Sequence, residues 1–261
     1  MRFRWSRAIP PARSFRVKQD RVGRWHVAFA AAPDPIKAPG TGETVGVDRG
    51  IAVSAALSTG ELLTCPRLSP GRQRRLKRLQ RKLARAQRGS NRRAEVKHAV
   101  ARLKARETDA RKDWAEKLST DLASRFDMIR VEDLRITGMT RSGKGTIAQP
   151  GRNVRAKAGL NREILASGWG ILVCRLEQKA PGRVQKINPA FTSQRCSACG
   201  HVADENRKSQ AVFACTTCGF VGNADVNAAN NIAAGHAVTA RGGLPLGRPV
   251  NREPQLALLS L

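Results

Sequence analysis

Residues Thr192–Ile232 read TSQRCSACGHVADENRKSQAVFACTTCGFVGNADVNAANNI. They contain Cys196-x2-Cys199 and Cys215-x2-Cys218, separated by fifteen residues. That is the spacing of a four-thiolate zinc site, and four protein ligands leave no open position, so the metal is expected to be structural. Each pair runs into a glycine, Gly200 or Gly219, which allows the positive φ of a knuckle turn. His201 could in principle replace a thiolate, but the four cysteines already complete the set. A ribbon of this length buries too little core to fold alone, so metal binding should supply much of its folding free energy. Seven residues past Cys218 comes Asp225, at the start of a segment that reads as a helix. Asn227, two residues on, is expected to cap or orient that helix rather than bind metal.

Working outward, two further acids stand at the ends of apolar strands. Glu43–Thr64 carries Val45 and Val47 in one strand, Ile51–Leu57 in a second and Leu62–Leu63 in part of a third. Asp48 is the acid inside the first strand; followed by Arg-Gly, it also fits a simple turn. Phe126–Leu134 reads as another buried strand, through Met128, Ile129 and Val131, and ends in Glu132 and Asp133. Arg183–Ile187 forms a last strand leading into the ribbon.

Helices fill the intervals. Ser69 followed by Pro70 is a helix start, and leucines 76, 79 and 83 continue it to about Gln87. Arg72, Arg74, Arg75, Lys77, Arg78, Arg81, Lys82, Arg85 and Arg88 run along it with no acid among them. Like charges four apart oppose a bare helix, so a nucleic-acid contact explains this run better than a solvated face. Asn91 can cap a second helix with a stripe through Val96, Val100, Leu103, Ala110, Trp114, Leu118 and Leu122. The two should form an antiparallel hairpin inserted into the sheet domain at 69–125. Thr137–Gly159 lacks periodicity and reads as a basic loop, and one helix should follow from about Leu160 to Lys179. Upstream, residues 14–32 read as a β-hairpin turning at Asp20–Gly23, then a Pro/Gly linker. The tail from His236 to Leu261 reads as poorly ordered.

Composition narrows the partners. The 261 residues carry 48 Lys and Arg against 20 Asp and Glu, a net charge of +28. A polyanion is the natural counterweight, and nucleic acid is the leading one. Aromatic residues are only 4% and Tyr is absent, so phosphate contacts rather than extensive stacking should dominate. No apolar run approaches eighteen residues and no secretory signal is visible, which leads to the expectation of a cytoplasmic protein without a membrane partner. Cys65 and Cys174, outside the pairs, read as small packing residues.

Taken in order, GVDRG around Asp48, VEDL around Glu132, TSQRCSACG, and CGFVGNADVNAANNI with Asp225 resemble the RuvC-type nuclease half of TnpB proteins. These are the OrfB-type, transposon-encoded proteins related to type V CRISPR effectors. The resemblance runs from about Glu43 to Gly235, and AVTARGG and VNREPQ extend it into the tail. It implies an α/β, RNase H-like (RuvC-type) mixed sheet with an inserted helical hairpin and a four-Cys zinc ribbon. The implied layout is 1–42 for the end of an N-terminal β domain and linker, and 43–191 for the nuclease core. The ribbon then takes 192–222, a last nuclease helix 223–235 and a flexible tail 236–261.

The resemblance further implies a Mg²⁺-dependent, RNA-guided DNA endonuclease active in transposition and DNA recombination. Asp48, Glu132 and Asp225 would be its catalytic acids and would hold two Mg²⁺; guide RNA and DNA would be its partners, in a prokaryotic nucleoid setting. Hard divalent ions prefer carboxylate oxygens, which suits Asp and Glu at these positions. Asp48 would bridge the two ions, with Glu132 and Asp225 each completing one shell. TnpB relatives carry a longer region before the nuclease strand than the forty or so residues here, so the expectation is either a shortened N-terminus or a true start upstream of Met1. A second reading stays open beside cleavage: a catalytically weak or inactive nucleic-acid-binding remnant without guide and target recognition.

Overall fold

In a strand, alternate side chains face opposite ways, and this rule organises the molecule around Val45, Gly46, Val47 and Asp48. The computed structural model describes residues 8–31 and 33–235. Strands β1 (Phe15–Gln19) and β2 (Trp25–Phe29) pair as the expected hairpin. The Asp20 carboxylate closes its turn by accepting from the N–H groups of Val22 and Arg24, both at 2.9 Å. Next come β3 (Thr44–Asp48), β4 (Ala55–Leu57) and β5 (Leu62–Leu63), then α1 (Pro70–Arg85) and α2 (Asn91–Arg125). They are followed by β6 (Met128–Glu132), α3 (Ile136–Met139), α4 (Val154–Ala166), α5 (Trp169–Lys179) and β7 (Val184–Ile187). The ribbon hairpin β8 (Val212–Ala214) and β9 (Val221–Asn223) leads directly into α6 (Ala224–Ala234).

The main sheet has the order β5-β4-β3-β6-β7. β5, β4 and β3 are antiparallel neighbours, whereas β3, β6 and β7 run parallel, so the sheet is mixed. Val45, Val47, Ile129 and Val131 point to one face, where Leu118 and Leu122 of α2 and Leu172 and Leu176 of α5 cover them. Truncating a leucine of this cluster to alanine costs about 2–5 kcal/mol by the usual cavity rule. The opposite face takes α6. A Cβ on Gly46 would fall inside contact distance of the Ala229 carbonyl oxygen and the Ala233 amide nitrogen, so helix backbone rests directly on strand backbone there. Arg130, also on this face, donates to the Ala233 carbonyl and holds the C-terminal end of α6.

Several boundaries depart from the sequence reading. β4 begins at Ala55, not Ile51, because residues 51–54 bend and Ser54 Oγ instead accepts from the Cys65 N–H at 2.9 Å. Ser90 caps α2 in place of Asn91, its hydroxyl accepting from the Arg93 N–H. Ser69 occupies the cap position of α1 but makes no side-chain cap bond. The single helix expected over 160–179 is two, divided at Gly168, whose φ of 81° breaks the run against the Trp114 ring. Within the supposed loop 137–159, α4 already begins at Val154. Cys65 is buried as expected, but Cys174 is exposed, since it lies on the outer side of α5. No helix among the described residues is long and apolar enough to cross a membrane. The expected tail at 236–261 lies outside the described residues.

Candidate active site

Strand register brings the first two acids together. Gly46 lies opposite Arg130 and Val47 opposite Val131, so Asp48 and Glu132 end adjacent parallel strands on the α6 face. The third acid arrives by helix geometry. Asp225 lies four residues before Ala229, a rise of about 6 Å along α6, while Asp48 lies two residues beyond Gly46, about 6.6 Å along β3. With Ala229 seated on Gly46, Asp225 therefore comes over Asp48. Three carboxylates from distant parts of the chain are drawn to one end of the sheet.

The electrostatics agree. Burial, then the charges of Glu132 and Asp225, push the Asp48 carboxyl well above the usual carboxylate range, against the opposing pull of Arg207. Asp225 is also raised, chiefly by burial, although Arg207 pairs with it at 3.1 Å. Glu132 is 8% exposed, and its Oε1 accepts from the Thr192 hydroxyl at 2.7 Å. Arg49, 6% exposed, donates to the Glu132 carbonyl, and desolvation lowers its guanidinium pKa. The indole N–H of Trp169 fixes the loop after Asp48 by donating to the Gly50 carbonyl at 3.1 Å.

The four cysteines form the second centre. Their Sγ atoms lie within 4.8 Å of one another, with Cys196–Cys218 at 3.7 Å and Cys199–Cys215 at 3.6 Å. Gly200 and Gly219 have φ of 81° and 74°, as the knuckle turns require. The backbone N–H of Cys218, first among several donors, pulls the Cys215 thiol down to about 6. These four residues could hold a metal ion. His201 contributes only its carbonyl, which accepts from the Cys196 N–H at 2.8 Å.

Asparagines tie this centre to α6. Asn223 caps the helix, accepting from the N–H groups of Asp225 and Val226. Asn227 donates to the Arg195 carbonyl at 2.7 Å and accepts from the Ser197 N–H at 2.9 Å, while Asn231 reaches the carbonyls of Thr192 and Arg195. Asn206, fully buried, links the two knuckles by donating to Gln194 and His201 and accepting from Thr216. Reading the sequence singled out neither Thr192 nor Arg207. Both act across the tertiary structure from segments without periodicity; their only signal was closeness to the cysteine pairs. The nine basic residues at 72–88 are exposed, and none has an acidic partner among the described residues.

Fold and site define an α/β protein whose four-cysteine ribbon leads into a helix carrying one member of a three-carboxylate cluster. A family model described as a probable transposase, OrfB of IS605 type, matches residues 16–143, and a Cas12f1-like TNB-domain model matches 169–232. The chain is 40% identical over 261 residues to the putative RNA-guided DNA endonuclease InsQ of Escherichia coli K12, covering 97% of this chain and 65% of that protein. It is 36% identical over 247 residues to a putative RNA-guided DNA endonuclease of Streptomyces pristinaespiralis, covering 92% and 58%. A third relative, the CRISPR-associated endodeoxyribonuclease Cas12f1 of Sulfoacidibacillus thermotolerans, is 54% identical over 56 residues, 22% of this chain and 13% of that one. The chain belongs to the TnpB (OrfB) family. It spans about 58–65% of the length of the first two relatives.

Proposed function

We propose that this chain is a TnpB-type, metal-dependent and RNA-guided DNA endonuclease, with Asp48, Glu132 and Asp225 as its catalytic acids. The single observation that carries the reading is the convergence of the three carboxylates, with the Asp48 carboxyl raised by burial and by the charges of the other two. Such a cluster is short of positive charge and offers hard oxygen donors, so it fits divalent magnesium. Magnesium held there by the three acids would supply charge cancellation at a phosphodiester and an activated water. Asp48, on the central strand and facing the charges of both other acids, would be the acid central to holding the magnesium.

Around the acids, Thr192 orients Glu132 through its hydroxyl, and Arg207 neutralises Asp225 until a cation or a phosphate competes for it. The sheet order, three antiparallel strands followed by two parallel ones, supports the RNase H-like assignment. Residues 43–191 would then be the nuclease core with its hairpin inserted at 69–125, 192–222 the ribbon, 223–235 the last nuclease helix, and 1–42 the end of an N-terminal β domain with its linker. For the cysteines zinc fits best: Zn–S bonds of about 2.3 Å in a tetrahedron put sulfurs roughly 3.8 Å apart, close to the separations found. Guide RNA and target DNA are the proposed partners, with the exposed basic residues of α1 and Arg88 as a phosphate-contacting surface.

Cleavage of supercoiled and single-stranded DNA in magnesium, with and without co-purified RNA, tests the reading. Alanine at Asp48, Glu132 or Asp225 should each reduce cleavage by about a thousandfold or more, a magnitude typical of removing a member of a catalytic unit. Retained cleavage in Asp48→Ala would sink the assignment. Binding with no cut product in any divalent ion would leave the nucleic-acid-binding reading, which the exposed basic run of α1 already favours.

A further inference from the structure

Phe191 combines two features that a folded chain ordinarily avoids. Its φ is 62°, in the left-handed region that a bulky L side chain seldom occupies. It is also 46% exposed, so its ring gains little from packing. The conformation is held by two bonds to one group: the Phe191 carbonyl accepts from the N–H groups of Gln194 and Arg195, each at 3.0 Å. Strain held this firmly at an exposed ring points to a use outside the fold.

The position of the ring names that use. The next residue, Thr192, is 3% exposed, and its hydroxyl donates to the Glu132 carboxylate at 2.7 Å. Successive Cα atoms are about 3.8 Å apart, so the exposed ring leaves the backbone one residue from the threonine that touches Glu132. Arg207, paired with Asp225, adds positive charge to the same end of the sheet, and the chain as a whole carries +28. An exposed aromatic face on a strongly basic chain is the combination that holds single-stranded nucleic acid: phosphates meet the charges and a base stacks on the ring. Stacking is indifferent to base identity, which suits a site that must accept any sequence.

We infer that Phe191 is a base-stacking platform for the DNA strand presented to the carboxylates, seating one unpaired nucleobase and thereby fixing the adjoining phosphate. The inference rests on the nuclease reading above, and Phe191 would act as a positioning residue.

The test uses the full chain in magnesium-free buffer and single-stranded DNA oligonucleotides, each carrying one 2-aminopurine at a successive position. Stacking should quench the probe at one position with the unaltered chain. Phe191→Ala should abolish that quenching and weaken binding about tenfold, within the range for removing one stacked base, whereas Phe191→Trp should retain both. Phe191→Gly separates the roles: relief of the positive φ should raise the unfolding midpoint while quenching disappears. Unchanged quenching and affinity in Phe191→Ala, or a lowered midpoint in Phe191→Gly, would overturn the inference. Failure of the unaltered chain to bind any of the oligonucleotides would overturn the DNA-directed reading and the platform together.

Discussion

Asp48 is held at a position that favours its proton. Burial and the charges of Glu132 and Asp225 raise its pKa, and the opposing influences of Arg207 and of the Arg49 backbone N–H do not cancel them. A carboxyl raised in the folded state contributes stability below its unfolded pKa and loses it as pH climbs through the folded value. At neutral pH and without magnesium, Asp48 is therefore a net cost to the fold. Asp48→Asn should raise the unfolding midpoint at pH 7 by about 2–4 °C, on the order of 1 kcal/mol for a chain of this size. The gain should shrink as pH falls toward 4. Thermal melts across that range in magnesium-free buffer decide it, and a midpoint unchanged or lowered at pH 7 would contradict the electrostatic account. Asp48 could be read in the sequence because an acid inside an apolar strand stands out. Arg207 and Thr192 could not, since what distinguishes them is the carboxylate each reaches, 18 and 60 residues away.

The ribbon and α6 form one mechanical element. Phe213 packs with Cys196, Cys215 and Ala224, so the small core around the cysteines includes the first residue of the helix that bears Asp225. Asn227 and Asn231 add side-chain bonds from that helix to the segment holding the first knuckle. Removing the metal should loosen α6 as well as the knuckles. Strong chelation is expected to release about one zinc per chain and to abolish cooperative unfolding, read by metal analysis and calorimetry. A chain that contains no zinc and still unfolds cooperatively would refute this. Cysteine spacing made the ribbon legible, and leucine spacing did the same for α1 and α2. The break at Gly168 escaped because it is decided by the Trp114 ring, far away in sequence, and not by local propensity.

Across the whole molecule, charge is segregated from the carboxylates. The basic face of α1 is exposed and without acidic partners among the described residues, whereas acids elsewhere form ion pairs such as Glu61 with Arg125 and Glu163 with Arg67. Replacing Arg74, Arg78, Arg81 and Arg85 by Gln should weaken DNA binding at low salt. It should also flatten the plot of log affinity against log salt by roughly 0.7–0.9 for every phosphate the chain ceases to neutralise. Binding titrations at several salt concentrations measure this, and an unchanged slope would remove α1 from the interface. The sheet's parallel half was not legible in the strands themselves. Pairing of β3 with β6 depends on a long excursion through both hairpin helices, and the seating of α6 depends on the bare backbone of Gly46. That seating has a consequence during synthesis. Ribosomes deliver Asp48 and Glu132 long before residues 224–234, and the groove over Gly46 has no helix until α6 has left the exit tunnel. Until then the nascent chain lacks Asp225, and Asp48 and Glu132 stand at the end of the sheet without the third carboxylate.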